Sequence, residues 1–100
     1  MGLKTQLSTD GKELSLCIDG RFDFNLHMDF REAYRGLPPD TRYVIDLSRT
    51  TFMDSSAMGM LLLLREYAGE KHADIRLRNC SEAVRKVLAV SHLDSIFAIE

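Results

Sequence analysis

Two neighbouring hydroxyls, Ser55 and Ser56, follow the acid Asp54 between two apolar runs, residues 43–47 and 60–64. This spacing predicts a strand-to-helix junction, where small side chains lie beside the free N–H groups of the first helical turn. Those N–H groups and the helix dipole favour negative charge, so a hydroxyl here is suited to accept a phosphate. The simpler interpretation is that Asp54 or Ser55 caps the helix, since Asp and Ser are preferred N-cap residues. The two interpretations are compatible, because one residue can cap while its neighbour is modified.

The elements that precede this junction are predicted from turn residues and from alternation. Residues 3–8 and 14–18 flank an Asp-Gly turn, which indicates a β-hairpin. In the second strand, polar and apolar residues alternate, so the sheet has a less apolar face. Gly20 is expected to end that strand. A helix then begins after Asn25, a suitable N-cap, and stops at a Pro-Pro pair.

The elements from the junction onward complete the predicted order. Residues 43–47 form a nearly continuous apolar run, which is typical of a central strand covered on both faces. The helix from Ser55 to Ala68 is apolar on almost every side, so we expect it to lie deep against the sheet with only its first turn exposed. A strand at residues 75–78, a helix opening at Ser81 and a short strand at 96–99 follow. This order favours an α/β sandwich with a mainly parallel sheet and helical crossovers.

Composition limits the classes of function that the chain can perform. Its 100 residues are expected to form one domain over residues 1–100, with 45% apolar residues available for a core. The net charge is -2 and the 13 basic residues are dispersed, which argues against binding of nucleic acid. No signal peptide or membrane-spanning run is evident, so a cytoplasmic location without membrane insertion is expected. Cys17 and Cys80 are expected to be reduced thiols, and neither a metal nor a cofactor is expected.

Three blocks, taken with the order of elements, resemble the STAS domain, specifically the small stand-alone anti-sigma factor antagonists of bacteria. Residues 18–23 (Ile-Asp-Gly-Arg-Phe-Asp) are similar to the family's strand that ends in Gly and an acid. Residues 44–47 leading into 52–59 (Phe-Met-Asp-Ser-Ser-Ala-Met-Gly) are its most specific motif. Residues 91–97 are similar to the end of its third helix, although Gly is more usual at His92. The resemblance implies a STAS fold, a four- to five-stranded mixed β-sheet with about three packed α-helices in the order β-β-α-β-α-β-α-(β).

The resemblance also implies a regulatory protein rather than an enzyme. In the family, a partner kinase phosphorylates the first hydroxyl after the acid, which is Ser55 here, with Ser56 as the second choice. The implied partners are an anti-sigma factor, a serine kinase or one protein that is both, together with a serine phosphatase, and the implied assembly is a monomer or weak dimer. Phe22 is expected to add to an exposed apolar patch within the partner surface, whose expected members are Asp23, Phe24, Met53, Asp54, Ser56 and Met58.

The sequence departs from the family pattern at two places, and neither changes the implied function. Ala57 stands where the family often has Gly, a small change because Ala is the better helix former. The sequence ends at Glu100, without the additional C-terminal helix of longer members. That difference removes surface that some partners use.

Three other functions fit parts of the sequence. A STAS adaptor subunit of a transporter ATPase would use the same helix as a permanent contact, with Ser55 as a purely structural residue. A phosphoaspartate receiver would use Asp46 or Asp54, but no acidic pair follows the first strand and the hairpin start does not fit. A serine hydrolase lacks a Gly-x-Ser-x-Gly elbow, and no histidine has a triad context. The antagonist is the preferred hypothesis and the adaptor is the alternative.

Overall fold

The computed structural model describes residues 2–100, which form one mixed sheet and three α-helices. Short 3₁₀ turns precede the first helix and follow the other two. The strands are β1 (Gly2–Leu7), β2 (Glu13–Phe22), β3 (Arg42–Asp46), β4 (Thr50–Met53), β5 (Asp74–Arg78) and β6 (Ala98–Ile99). The helices are α1 (His27–Tyr34), α2 (Ser55–Tyr67) and α3 (Glu82–Val90), and the 3₁₀ turns are Phe24–Leu26, Glu70–His72 and Leu93–Ser95.

The sheet combines one antiparallel hairpin with parallel strands. β1 pairs antiparallel with β2, and the main sheet has the order β1-β2-β3-β5-β6, in which β2–β3, β3–β5 and β5–β6 are parallel. The predicted Asp-Gly turn closes the hairpin, because Gly11 adopts a φ of 72° and Ser8 N donates to Glu13 O at 2.8 Å. The predicted mixed α/β fold with three helices is therefore confirmed.

The sheet has six strands, because a strand that the sequence did not predict follows β3. The expectation that Gly20 ends β2 is wrong: β2 continues to Phe22, and its last residues pair in parallel with β4. The pairing shifts register between Gly20 and Arg21, where Gly20 adopts a φ of 93° that other residues rarely tolerate. This bend lets one strand pair with β3 along its first half and with β4 at its end. β4 leads directly into α2.

All three helices contribute to a single hydrophobic core on one face of the sheet. Tyr43 and Ile45 of β3 belong to this core together with the inward residues of β2, β5 and each helix. Val44 is only 6% exposed but lies outside the core cluster, in register with Ser15 and Arg76. The prediction that this strand is covered on both faces is therefore wrong, because within residues 2–100 no second helical layer lies against its opposite face. The predicted less apolar face exists, and Cys17 and Cys80 are both half-buried.

Helix α2 buries only one stripe of its surface. Ala57, Met60, Leu61 and Leu64 are buried, whereas Leu62, Leu63 and Tyr67 are 43%, 60% and 41% exposed. The prediction that this helix is buried on almost every side is wrong, because a helix that packs on one face of a sheet leaves its outer side in water. Of the helices in residues 2–100, none has the length and apolar character needed to cross a bilayer.

Candidate functional site

The start of α2 is held by the side chain of Asp54. Asp54 has an extended backbone with φ -123° and ψ -173°, and its Oδ1 accepts hydrogen bonds from Ser56 N at 3.0 Å and Ala57 N at 3.2 Å. The same oxygen accepts a hydrogen bond of 2.6 Å from Ser56 Oγ. Asp54 therefore satisfies two of the free N–H groups at the helix start. The sequence left open which residue caps α2, and the structure assigns that role to Asp54.

The hydrogen bonds to Asp54 also keep its carboxyl group ionised. The hydroxyl of Ser56 makes the largest contribution to lowering the pKa of Asp54 below its ordinary value. The N–H groups of Ala57 and Ser56 lower it further, and the positive charge of Arg21 adds to the effect. A charged cap at neutral pH holds the hydroxyl of Ser56 in place.

The two serines of the junction differ in availability. Ser56 is partly buried and donates its hydroxyl to the cap, whereas Ser55 is exposed. Within residues 2–100, no side-chain hydrogen bond involves the hydroxyl of Ser55. An exposed hydroxyl without an internal partner is open to an external enzyme, so the geometry favours Ser55 over Ser56 as an acceptor.

The end of β2 lies beside the start of α2 because β2 and β4 are paired. Arg21 is in register with Phe52, and Phe22 is in register with Met53, the residue before the cap. Asp23 follows and caps the short 3₁₀ turn Phe24–Leu26 by accepting a hydrogen bond from Asn25 N at 3.0 Å. The predicted neighbourhood of Asp23 and the junction is therefore present in the structure.

The apolar part of this surface differs from the sequence prediction. Phe24 is 63% exposed and Met58 is partly buried, but Phe22 and Met53 are 0% and 6% exposed. The expectation that Phe22 and Met53 are exposed is wrong. Their positions in register at the ends of two paired strands direct both side chains into the core. Phe52, which alternates with Met53, is 39% exposed and takes its place on the surface.

Arg21 also lies in the site, although the sequence did not predict it there. Its Nε lies 3.2 Å from Asp23 Oδ2, and its guanidinium carbon lies 3.9 Å from the centre of the Phe52 ring. The one sequence feature that pointed to Arg21 was its position between Gly20 and Asp23. Its proximity to Asp54 depends on the pairing of β2 with β4. Arg21 therefore brings a positive charge to a surface that the sequence presented as acidic and apolar.

The family is decided by comparison with known proteins. Residues 5–99 match the family model described as Mlab, STAS domain. The chain belongs to the STAS family. It is 51% identical over 100 residues to a STAS-domain containing protein of Pseudomonas aeruginosa, and the match covers 99% of each protein.

Solved structures of other STAS proteins have the same fold. The anti-sigma factor antagonist SpoIIAA in its unphosphorylated form is 18% identical, with a TM-score of 0.74 over 99% of this chain and 87% of that chain. Phosphorylated SpoIIAA of Bacillus is 20% identical, with a TM-score of 0.73 over 99% and 91%. An anti-sigma factor antagonist of Mycobacterium paratuberculosis is 22% identical, with a TM-score of 0.76 over 98% and 85%. At these identities the likeness establishes the STAS fold.

Proposed function

We propose that this STAS protein is an anti-sigma factor antagonist controlled by phosphorylation of Ser55. Unphosphorylated, it binds its anti-sigma factor, and phosphorylation releases the complex, which regulates transcription that depends on the sigma factor. The observation that carries this proposal is the exposed hydroxyl of Ser55, which has no side-chain partner in residues 2–100, beside the hydroxyl of Ser56, which the cap holds. Membership of the STAS family is consistent with this function and with the adaptor alternative, so the choice between them rests on Ser55.

The surface that meets the partner comprises the start of α2 and the adjoining end of β2. Phe24 supplies the most exposed apolar group, and Asp23, Asp54, Ser56 and Met58 surround the acceptor. Met53 supports this surface from the core, because its side chain is buried at the end of β4. A few exposed aromatic groups ringed by polar residues are typical of the regions that dominate binding energy in interfaces.

Phosphorylation acts on this surface through charge. A phosphate on Ser55 adds about -1.5 to -2 charges at pH 7 next to the ionised Asp54. Like charges brought together in an interface cost several kcal/mol, and about 1.4 kcal/mol changes an affinity tenfold. The start of α2 stabilises the same charge by roughly 0.3–1 kcal/mol through the helix dipole. Binding is therefore expected to change while the fold persists.

The proposed role requires no catalysis by this chain. A serine kinase, which is often the anti-sigma factor itself, adds the phosphate, and a serine phosphatase removes it. We place this cycle in the cytoplasm and assign it to a single STAS domain over residues 1–100. The protein contributes a surface whose affinity depends on one covalent group.

Affinity capture from lysate of the native host tests the proposal. Ser55→Ala, Ser55→Asp and Ser56→Ala proteins serve as parallel baits, and quantitative mass spectrometry identifies the proteins bound. We expect an anti-sigma factor on the Ser55→Ala and Ser56→Ala baits and its loss from Ser55→Asp. Equal retention of an anti-sigma factor by Ser55→Ala and Ser55→Asp would reject the switch. Equal retention of a transporter ATPase would instead support the adaptor alternative, in which Ser55 is purely structural.

A further inference from the structure

Arg21 is held at the edge of the proposed phosphorylation site by contacts with two side chains. Its Nε donates to Asp23 Oδ2 at 3.2 Å, and its guanidinium lies over Phe52 at 3.9 Å from the ring centre. The side chain of Arg21 is nevertheless 63% exposed, against 14% for Asp23. Solvent therefore reaches the pair from the Arg21 side and screens it there. The exposed guanidinium of Arg21 can therefore turn to an anion that attracts it more strongly than Asp23 does.

The position of Arg21 brings its charge to the start of α2. Arg21 is in register with Phe52, only two residues before the cap. Its positive charge contributes to lowering the pKa of Asp54, the residue that immediately precedes Ser55. Two carboxylates lie in its field, Asp23 directly after β2 and Asp54 at the start of α2. An additional anion on Ser55 would thus enter the field of a cation that is already in place.

We infer that Arg21 gives up its ion pair with Asp23 and binds the phosphate on Ser55 instead. This inference rests on the proposed function only for the choice of Ser55 as the modified residue. A phosphate carries more charge than a carboxylate and presents three acceptor oxygens, which suit the forked donors of a guanidinium. The ring of Phe52 keeps the guanidinium near both anions, because an aromatic face attracts a cation without competing for its N–H donors.

The exchange extends the effect of phosphorylation beyond α2. Asp23 loses its counter-ion while its Oδ1 still caps the 3₁₀ turn that begins at Phe24. The carboxylate next to the exposed Phe24 is then left uncompensated. One phosphate therefore alters the charge at two points of the partner surface, the start of α2 and the turn at Phe24.

The pKa of the phosphoserine itself reports the contact. Phosphoserine is installed at position 55 during translation, and its second ionisation is followed by ³¹P NMR in the wild-type background and in Arg21→Gln. A nearby opposite charge lowers this pKa, so Arg21→Gln is expected to raise it by about half a unit. Arg49→Gln is the matched control. Arg49 is 70% exposed and pairs at 3.6 Å with Asp19 of β2, the strand that also carries Arg21. The control is expected to leave the pKa unchanged.

A second variant tests the exchange with Asp23. Asp23→Asn removes the competing carboxylate, so it is expected to lower the phosphoserine pKa below that of the wild-type background. The ¹⁵Nε resonance of Arg21 is expected to shift on phosphorylation in the wild type. An unchanged pKa in Arg21→Gln, or an equal rise in Arg49→Gln, would overturn the inference. These measurements need no partner protein. If the capture experiment shows no switch in binding, the proposed function is rejected, whereas the contact between Arg21 and the phosphate is still tested by the phosphoserine pKa.

Discussion

Single polar groups in this protein differ sharply in whether they have a partner. The hydroxyl of Tyr67 donates to Leu37 O at 2.9 Å and accepts from Gly36 N at 3.1 Å. The hydroxyl of Tyr43 is buried and makes no hydrogen bond of ordinary geometry in the described residues, and the nearby Thr41 side chain offsets only part of the effect of burial on its pKa. A buried hydroxyl without a partner costs free energy, whereas a paired hydroxyl stabilises the fold. A tyrosine hydroxyl is therefore expected to destabilise the fold at Tyr43 and to stabilise it at Tyr67.

Phenylalanine substitutions test this contrast. Tyr43→Phe is expected to leave the free energy of unfolding unchanged or to raise it, whereas Tyr67→Phe is expected to lower it by about 1 kcal/mol. Urea denaturation at pH 7 measures both. A clear loss of stability in Tyr43→Phe would show that its hydroxyl has a partner in solution.

The buried hydroxyl of Tyr43 also makes the stability of the fold depend on pH in the alkaline range. Burial raises the pKa of Tyr43 from 10.0 to about 12, so the folded state holds this proton over a range in which the unfolded state releases it. Stability is therefore unaffected by this group below about pH 10 and falls as the pH rises towards 12, by up to about 3 kcal/mol. Tyr43→Phe is expected to lose less stability over that range than the wild type. Equal losses would contradict the assignment to Tyr43.

Among the elements, α2 connects the core to the proposed partner surface. Its first turn carries Ser55 and Ser56. One side of the helix packs on the sheet, and the other side faces solvent. The buried stripe fixes the direction of the helix, and the pairing of β2 with β4 fixes where it begins. The site therefore depends on two elements that meet at one point, rather than on the serine motif alone.

Leucine substitutions distinguish the two sides of α2. Leu61 is 0% exposed and Leu63 is 60% exposed. Leu61→Ala is expected to lower the free energy of unfolding by about 2–5 kcal/mol through lost burial and a cavity. Leu63→Ala is expected to change it by less than about 0.5 kcal/mol, since surface substitutions have small effects. Urea titrations of both variants measure the difference, and similar losses would place Leu63 in the core.

At the scale of the whole molecule, all three helices share one core on one face of a six-stranded sheet. The proposed acceptor lies outside that core, because Ser55 is exposed at the start of a helix. A charge added there meets solvent and the helix dipole, rather than buried apolar atoms. The molecule can therefore change its binding surface without repacking.

The charge-mimicking variant tests this separation of fold from binding. Ser55→Asp is expected to keep the far-UV circular dichroism of the wild type and a free energy of unfolding within about 1 kcal/mol of it, because the helix start favours an acid. Ser55→Ala serves as the uncharged control and is expected to behave in the same way. Loss of helical signal in Ser55→Asp alone would mean that the switch acts by unfolding α2.

The sequence alone determined the features that depend on neighbours along the chain. The Asp-Gly turn, the start of α2 after the acid, the alternation in β2 and the order of the helices and of every strand except β4 follow from local backbone preferences and periodicity. The motif around Ser55 also led to the STAS family from sequence alone. These predictions succeeded because the interacting residues are close in sequence.

Only the tertiary structure decided which of these side chains face water and which charges meet. Pairing of β2 with β4 across about thirty residues buried Phe22 and Met53 and brought Arg21 near Asp54. Packing of every helix on one face left Leu63 exposed, although its sequence neighbours are equally apolar. Local turns and alternation set the register of the β1–β2 hairpin, whereas the parallel pairing of distant strands and the placement of all helices on one face depend on contacts between residues far apart in the sequence.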